Sequence, residues 1–335
     1  MWHRSIVYCV ALASLGWSAS ADAKATYVSF DPPQSQYTYP ISIQAGAIAG
    51  YFQDTDGYIH GFVRSVDGTI TTFDPSASQG TYITGMNGDG TITGYYDDSN
   101  YLGHAFVRTP DGTMTDIVPK GAVTSYVFGI NKRGWMAGYY KDGSSAWHGF
   151  LRNAKGRVSS FDVSGASFVA VYGMNDSDAV AGFYRDSKEV THGFVRTVDG
   201  TVMTFDPAGS TFTQPYAIND DGSVVGYYMD STYATHGFVR AADGTITSFD
   251  VPGSNGTYAQ GINNEGKVTG YYLDSNYNAH AFLRSNTGKI TTFDPPTSIG
   301  TYGQSLDSSR SDQQAAIGFW DDGDYLAHGY VRTRQ

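Results

Sequence analysis

The tripeptide His-Gly-Phe, or a near variant, occurs seven times, with its histidines at His60, His104, His148, His192, His236, His280 and His328. Five consecutive spacings are 44 residues and the last is 48, the extra four falling within residues 308–314. A fixed period of this length restricts a chain to stacked or ring-closed units, because one unit cannot bury its own apolar face and needs a neighbour. The contents of the period choose between them. In the second unit, residues 81–87 read as a strand and Asn87-Gly88-Asp89-Gly90 as a turn rich in residues that tolerate positive φ. Residues 91–96 form a second strand ending in Gly-Tyr-Tyr, residues 98–103 a loop, and residues 104–108 a third strand. Asp111-Gly112 fits a two-residue type I′ hairpin turn, and residues 113–118 make a fourth strand before Pro119.

Four short strands per unit, repeated seven times, is the pattern of a β-propeller. The ends of the chain support this independently. Thr26-Tyr-Val-Ser-Phe-Asp-Pro32 matches the fourth-strand segment Thr69-Ile-Thr-Thr-Phe-Asp-Pro75, yet it precedes the first full unit. The last unit stops soon after its third strand, at Arg332. The expectation is an all-β, seven-bladed propeller of 28 strands whose N-terminal strand completes the last blade and leaves no loose sheet edge. An open solenoid would need capping units, and none is visible. The content of 41 Gly, 26 Tyr and 18 Phe suits short strands and tight turns and is far too aromatic for a disordered chain.

Here the residues reach a known family. The chain resembles the bacterial extracellular repeat family named for its His-Ala-Phe tripeptide. His104-Ala105-Phe106 and His280-Ala281-Phe282 are literal matches; the other five units have Gly in the middle, and the last ends in Tyr330. The resemblance covers nearly all of residues 24–335. It implies secretion and a repeat fold, and it supplies no reaction and no catalytic residues.

Residues 1–23 read as a secretory leader. His3 and Arg4 precede an apolar run over residues 5–17, followed by Ala19-Ser20-Ala21 and Ala21-Asp22-Ala23. The run is too short to span a bilayer. The single Cys, Cys9, would leave with it, so neither a disulfide framework nor a cysteine zinc site is expected. The destination is periplasm or medium. With 21 Lys and Arg against 32 Asp and Glu, the net charge of -11 argues against a nucleic-acid partner. Residues 24–335 are expected to be one domain, a monomer with no membrane span.

Three polar positions recur in register. Asp54, Asp98, Asp142, Asp186, Asp230, Asp274 and Asp322 each stand six residues before a repeat histidine. Asp31, Asp74, Asp162, Asp206, Asp250 and Asp294 close the fourth strands, with Val118 in that place once. With a two-residue turn at Asp67-Gly68, Gly61 would face Asp74, so Asp54, His60 and Asp74 should cluster. Such a cluster could serve acid–base catalysis, but sevenfold recurrence favours a structural hydrogen-bond network. Arg64, Arg108, Arg152, Arg196, Arg240, Arg284 and Arg332 stand four residues after the histidines and read as ion pairs or a solvated edge. The Gly-Tyr-Tyr segments read as core between units. Asp54-Thr-Asp56-Gly57 and Asp321, Asp322 and Asp324 have some oxygen density, but a calcium loop needs about six to eight oxygens in order, and the other five loops lack a second Asp. No cofactor and no metal site are therefore assigned.

Specific function should lie where the units differ. Three residues before the recurrent Asn of the innermost strand stand Thr84, Phe128, Tyr172, Tyr216, Gln260 and Gln304. Aromatic faces followed by amides suit a sugar or peptide at the channel mouth; the alternative is ordinary packing between inner strands. At the tips of the loops between second and third strands, Tyr101, Tyr233, Tyr277 and Tyr325 share one offset, with Tyr58 and Trp147 close to it. These rings either form a binding surface or fold down over the next blade. Three functions follow. The first is a secreted binding module holding a glycan or protein on the loop face and channel mouth. The second is a carbohydrate-active hydrolase or lyase, for which two carboxylates would suffice. The third is a purely structural surface protein. The absence of a long insertion that could build a lid favours binding.

Overall fold

The computed structural model describes residues 25–76, 78–308 and 315–334; the expected leader and most of the four-residue insertion lie outside the described residues. The described chain contains 28 strands and no helix. Each repeat is a four-stranded antiparallel meander. The first consists of Ser35–Gln44, Ala47–Asp54, Ile59–Arg64 and Ile70–Phe73. The second consists of Gly80–Met86, Ile92–Asp97, Gly103–Arg108 and Met114–Asp116, a shorter fourth strand than its residues suggest. The last repeat has Gly300–Leu306, Ala316–Asp321 and Ala327–Arg334, and Ala25–Phe30 lies antiparallel beside the third of these, with Phe30 opposite Gly329.

The ladder does not divide into seven separate sheets. It groups the strands into two 12-stranded sheets and one four-stranded sheet. The larger sheets arise because single parallel bridges join the third strand of one repeat to the first of the next, at Ile59–Gly80, Thr191–Phe212, Thr235–Gly256 and Ala327–Tyr37. The architecture is all-β and propeller-like. One end carries the loops between second and third strands and is called the loop face; the opposite end carries the hairpins between third and fourth strands.

The hairpins differ from the two-residue turn that Asp-Gly suggests. Arg64 pairs with Ile70 and Gly61 with Phe73, and the Ser65 N–H donates to the Thr69 carbonyl at 2.9 Å, so residues 66–68 form the loop. The Gly68 N–H donates to the Ser65 carbonyl at 2.9 Å, and φ is +92° at Gly68. A type I turn followed by a left-handed glycine is the three-residue hairpin form, and only Gly68 needs positive φ. Asp67 instead accepts from the Ser65 hydroxyl and the Thr69 N–H. Asp74 consequently lies just past the last paired residue rather than opposite Gly61.

The tripeptide divides its tasks by strand alternation. Its third residue is core: Phe62, Phe106, Phe150, Phe194, Phe238, Phe282 and Tyr330 are fully buried. Its second is small because a fourth-strand ring covers it; a Cβ on Gly149 would lie 2.3 Å from Phe161 Cζ. Gly-Tyr-Tyr divides similarly. A Cβ on Gly270 would lie 1.9 Å from the Tyr258 carbonyl oxygen. The ring after each such glycine joins a circuit of ring contacts, with centroids 4.5–6.0 Å apart, that runs through every repeat and returns from Phe319 to Tyr39. The second ring stacks on the repeat histidine, as Tyr96 does on His104 at 5.1 Å.

The repeated arginines are neither simple ion pairs nor solvated edges. Arg64, Arg108, Arg196, Arg240, Arg284 and Arg332 lie over Phe30, Phe73, Phe161, Phe205, Phe249 and Phe293 of the preceding fourth strand, 4.4–5.1 Å from the ring centroids. Each pair is a cation–π contact between repeats, strengthened by partial burial. Ile117 stands where Arg152 would need a ring, and Arg152 Nη1 instead lies 3.7 Å from Met136 Sδ.

Candidate functional site

The histidine–carboxylate cluster forms. His60 Nδ1 lies 2.7 Å from Asp74 and Nε2 lies 3.1 Å from Asp54. Asp74 also accepts at 2.6 Å from the hydroxyl of Thr81, which belongs to the next repeat. His148 and His328 have the same two-carboxylate arrangement, with Asp162 and Asp142, and with Asp31 and Asp322. His192, His236 and His280 bond Asp206, Asp250 and Asp294 and hold Asp186, Asp230 and Asp274 at 3.5–3.7 Å, an ion-pair distance. His104 keeps only Asp98, at 3.2 Å, because Val118 replaces the second carboxylate. The other oxygen of each loop Asp closes its own loop: Asp54 Oδ1 accepts from the Asp56 and Tyr58 N–H groups. Among the described residues no group of three or more acidic, His or Cys side chains is placed to hold one ion.

This network makes stability pH-dependent. At His60, His148, His236 and His328 burial lowers the imidazole pKa, but hydrogen bonds to the paired carboxylates outweigh it and hold the value above the ordinary one. A raised folded pKa gives stability that is complete below the unfolded value, about 6.5, and is lost as pH rises through the folded one. Asp142 and Asp230 are held at about 2, chiefly by the hydroxyls of Ser144 and Thr232, so their contribution is lost only as pH falls towards that value. The thermal midpoint is therefore expected to be highest between about pH 4 and 6.5 and to fall from there to pH 8.5. Calorimetry across that range tests this; a midpoint that rises from pH 6.5 to 8.5 contradicts it.

The asymmetric inner-strand residues converge. Each first strand has a β-bulge near its lower end, between Ile83 and Gly85, Val127 and Gly129, Val171 and Gly173, Pro215 and Ala217, Ala259 and Gly261, and Gly303 and Ser305. The extra residues at these bulges are Thr84, Phe128, Tyr172, Tyr216, Gln260 and Gln304, and Ile41 is the equivalent between Pro40 and Ser42. A bulge leaves one residue unpaired and re-aims its side chain. All seven line one central cavity of about 310 Å³. Its wall is uneven. Phe128 lies 4.9 Å from Tyr172, and Tyr172 5.5 Å from Tyr216, so three rings form one side. Gln260 and Gln304 face the same cavity, and no protein hydrogen bond engages either amide among the described residues. The Thr84 hydroxyl is committed to the Val127 carbonyl. Burial drives the Tyr172 and Tyr216 phenols above their ordinary pKa, so both stay protonated donors.

These bulges stand two residues above the hairpin end of the strand, so the cavity is not at the loop-face mouth that the sequence suggests. It adjoins a second cavity of about 370 Å³ at the hairpin end, with Ile130, Met174 and Ile218 lining both. That end is organised by the Asn that served only as a landmark in the sequence. Asn87, Asn131, Asn175 and Asn219 each donate Nδ2 to the carbonyl of the Asn 44 positions later. The 44-residue recurrence of this Asn was the available signal; its partner lies in another repeat and could not be read from one unit.

The loop tips form a separate group. Tyr101, Tyr233, Tyr277 and Tyr325 are 72–82% exposed and do not fold over a neighbouring repeat. Tyr58 is also exposed, one place after the equivalent position, which Gly57 holds. Trp147 does not belong with them. It opens the strand Trp147–Arg152 and packs on Tyr126, Tyr139 and Phe168, because it falls two residues past the tip position, held by Ser145.

No family model matches the chain, and no curated protein matches it. Solved structures do. The β-propeller domain of the Trilobed protease from Pyrococcus furiosus aligns with a TM-score of 0.62 at 10% identity, over 89% of this chain and 95% of that one. The BP39L lectin from Burkholderia pseudomallei aligns at 0.56 and 10% identity, over 92% and 95%. Puromycin hydrolase aligns at 0.61 and 11% identity over 90% of this chain, which spans only 54% of that protein. At these identities the likeness is one of fold: a β-propeller-type module.

Proposed function

We propose that the chain is a secreted binding module, built as a closed seven-bladed β-propeller, that takes an uncharged glycan residue in its central channel. Closure is supported by the pairing of Ala25–Phe30 with Ala327–Arg334, by Arg64 over Phe30, and by the ring contact from Phe319 to Tyr39. Secretion is supported by the basic start, apolar run and Ala-x-Ala sites of residues 1–23. The observation that carries the binding reading is the set of bulges. Seven equivalent backbone positions aim side chains into one cavity, and those side chains differ. Rings on one side offer faces to the C–H surface of a sugar, while the amides of Gln260 and Gln304 offer donors and acceptors to its hydroxyls. A catalytic reading of the histidines is weakened because most of their ring nitrogens already hold carboxylates.

A glycan array with residues 24–335 tests this. Gln260→Ala and Gln304→Ala are expected to weaken binding about tenfold each, roughly 1.4 kcal/mol, with little change in thermal midpoint. Absence of any glycan signal, or equal binding by both variants, would overturn it.

A further inference from the structure

We infer that the loop face carries a second binding surface, an arc of tip tyrosines that docks an extended, uncharged polysaccharide. This goes beyond the channel reading and stands on different residues. The first observation is backbone conformation. Tyr101, Tyr233, Tyr277 and Tyr325 have φ of +58°, +66°, +66° and +61°. That region disfavours any residue with a Cβ, and a bulky one is an outlier there. The molecule supplies its own control. The left-handed position of the opposite-face hairpins is glycine in six repeats, at Gly68, Gly112, Gly156, Gly200, Gly244 and Gly288. On the loop face the first repeat likewise has Gly57, but four others place tyrosine. The turn itself would be relieved by glycine, so the ring is kept for something outside the turn.

The second observation is arrangement. The four rings, with Tyr58, fall on five consecutive repeats, the arc passing from Tyr325 to Tyr58 across the bridge between Ala327 and Tyr37. The third and fourth repeats interrupt it, with Ser145 and Glu189 in the left-handed place. Each ring is one repeat away from the next, and Asn100, Thr232, Asn276 and Asp324 precede the four tips. Protein interfaces concentrate affinity in a contiguous dry centre, which separated rings among polar residues do not provide. A polymer of sugars presents an apolar ring face at regular intervals with hydroxyls between, which matches rings alternating with amides and carboxylates. Charge selects among polymers. The loop face has an Asp at the start of every loop and the chain carries a net charge of -11, so polyanions are repelled.

The test uses residues 24–335 and affinity electrophoresis in neutral polysaccharides (soluble β-glucan, xylan, mannan and starch), with polygalacturonate as the anionic control. Retardation by one or more neutral polymers and none by polygalacturonate is expected. The quadruple variant Tyr101→Gly, Tyr233→Gly, Tyr277→Gly and Tyr325→Gly is expected to lose at least about tenfold in affinity while its thermal midpoint stays level or rises. On the glycan array the quadruple variant should keep the parent's affinity for short glycans held in the channel, whereas Gln260→Ala should lose it, which separates failure of the channel reading from failure of this one. The inference is overturned if no neutral polymer retards the chain or if the quadruple variant is retarded equally. It is also overturned if that variant melts well below the parent, which would make the rings structural, or if the tyrosines are needed for a protein partner instead.

Discussion

Gly270→Ala is expected to destabilise the protein by more than about 3 kcal/mol, and Gly143→Ala by no more than about 0.5 kcal/mol. Both add one methyl group. At Gly270 the new Cβ would stand 1.9 Å from the Tyr258 carbonyl oxygen and 3.0 Å from Ala259 Cα, whereas at Gly143 nothing lies within 4 Å. The Tyr258 oxygen is main chain, in the strand paired with Gly270, so no rotamer change relieves the clash. The first strand would have to retreat, and the bulge between Ala259 and Gly261 would change with it. Chemical denaturation of the two variants beside the parent measures the difference. Near-equal midpoints would show that the second strand tolerates a side chain there. The same close approach recurs at Gly50, Gly94, Gly138, Gly182, Gly226 and Gly318. The glycine of Gly-Tyr-Tyr therefore makes room for the neighbouring backbone rather than only for aromatic rings.

Removing the strand Ala25–Phe30 is expected to have the larger effect. The deletion uncovers the edge of Ala327–Arg334 and takes Phe30 from beside Phe62, 6.0 Å away, and from beneath Arg64. It also unmoors the residue that follows: Asp31, which holds His328 at 2.8 Å and accepts from Thr38 at 2.7 Å, loses the strand that positions it. Loss of the Phe30 ring alone, in Phe30→Ala, should cost about 3 kcal/mol. The full deletion should cost several times that or leave a chain that associates through its bare edge. Gel filtration and thermal melting would follow it, and a synthetic peptide of residues 24–33 should restore the parent midpoint in trans. A deletion variant that melts with the parent as a monomer would refute the role of this pairing.

What recurs along the chain was legible in it. The four-strand units, the pairing of the N-terminal strand with the last repeat, and the Asp54, His60 and Asp74 cluster all follow from residues in register. What was not legible depends on pairing between strands. Bulges are a property of two strands together, so Phe128 and Gln260 could be singled out as unequal but not placed near the hairpin end. The arginine contacts were missed because Arg108 and its ring, Phe73, belong to different repeats. Trp147 takes the packed one of its two readings, because it occupies a strand start that proximity in sequence to the tip position does not reveal. Asp67-Gly68 was read one turn class too tight, since the dipeptide is compatible with both hairpin forms and only the register of Arg64 with Ile70 decides.

The bulges have a consequence for how such a chain can change. The frame writes a seven-letter word into its channel, Ile-Thr-Phe-Tyr-Tyr-Gln-Gln, at Ile41, Thr84, Phe128, Tyr172, Tyr216, Gln260 and Gln304. Three letters are shared with the aromatic circuit and cannot be altered without disturbing it. The other four carry no ring and add no ring-to-ring contact to it, so the vocabulary of the channel can be rewritten at those places while the grammar of the repeat stays as it is.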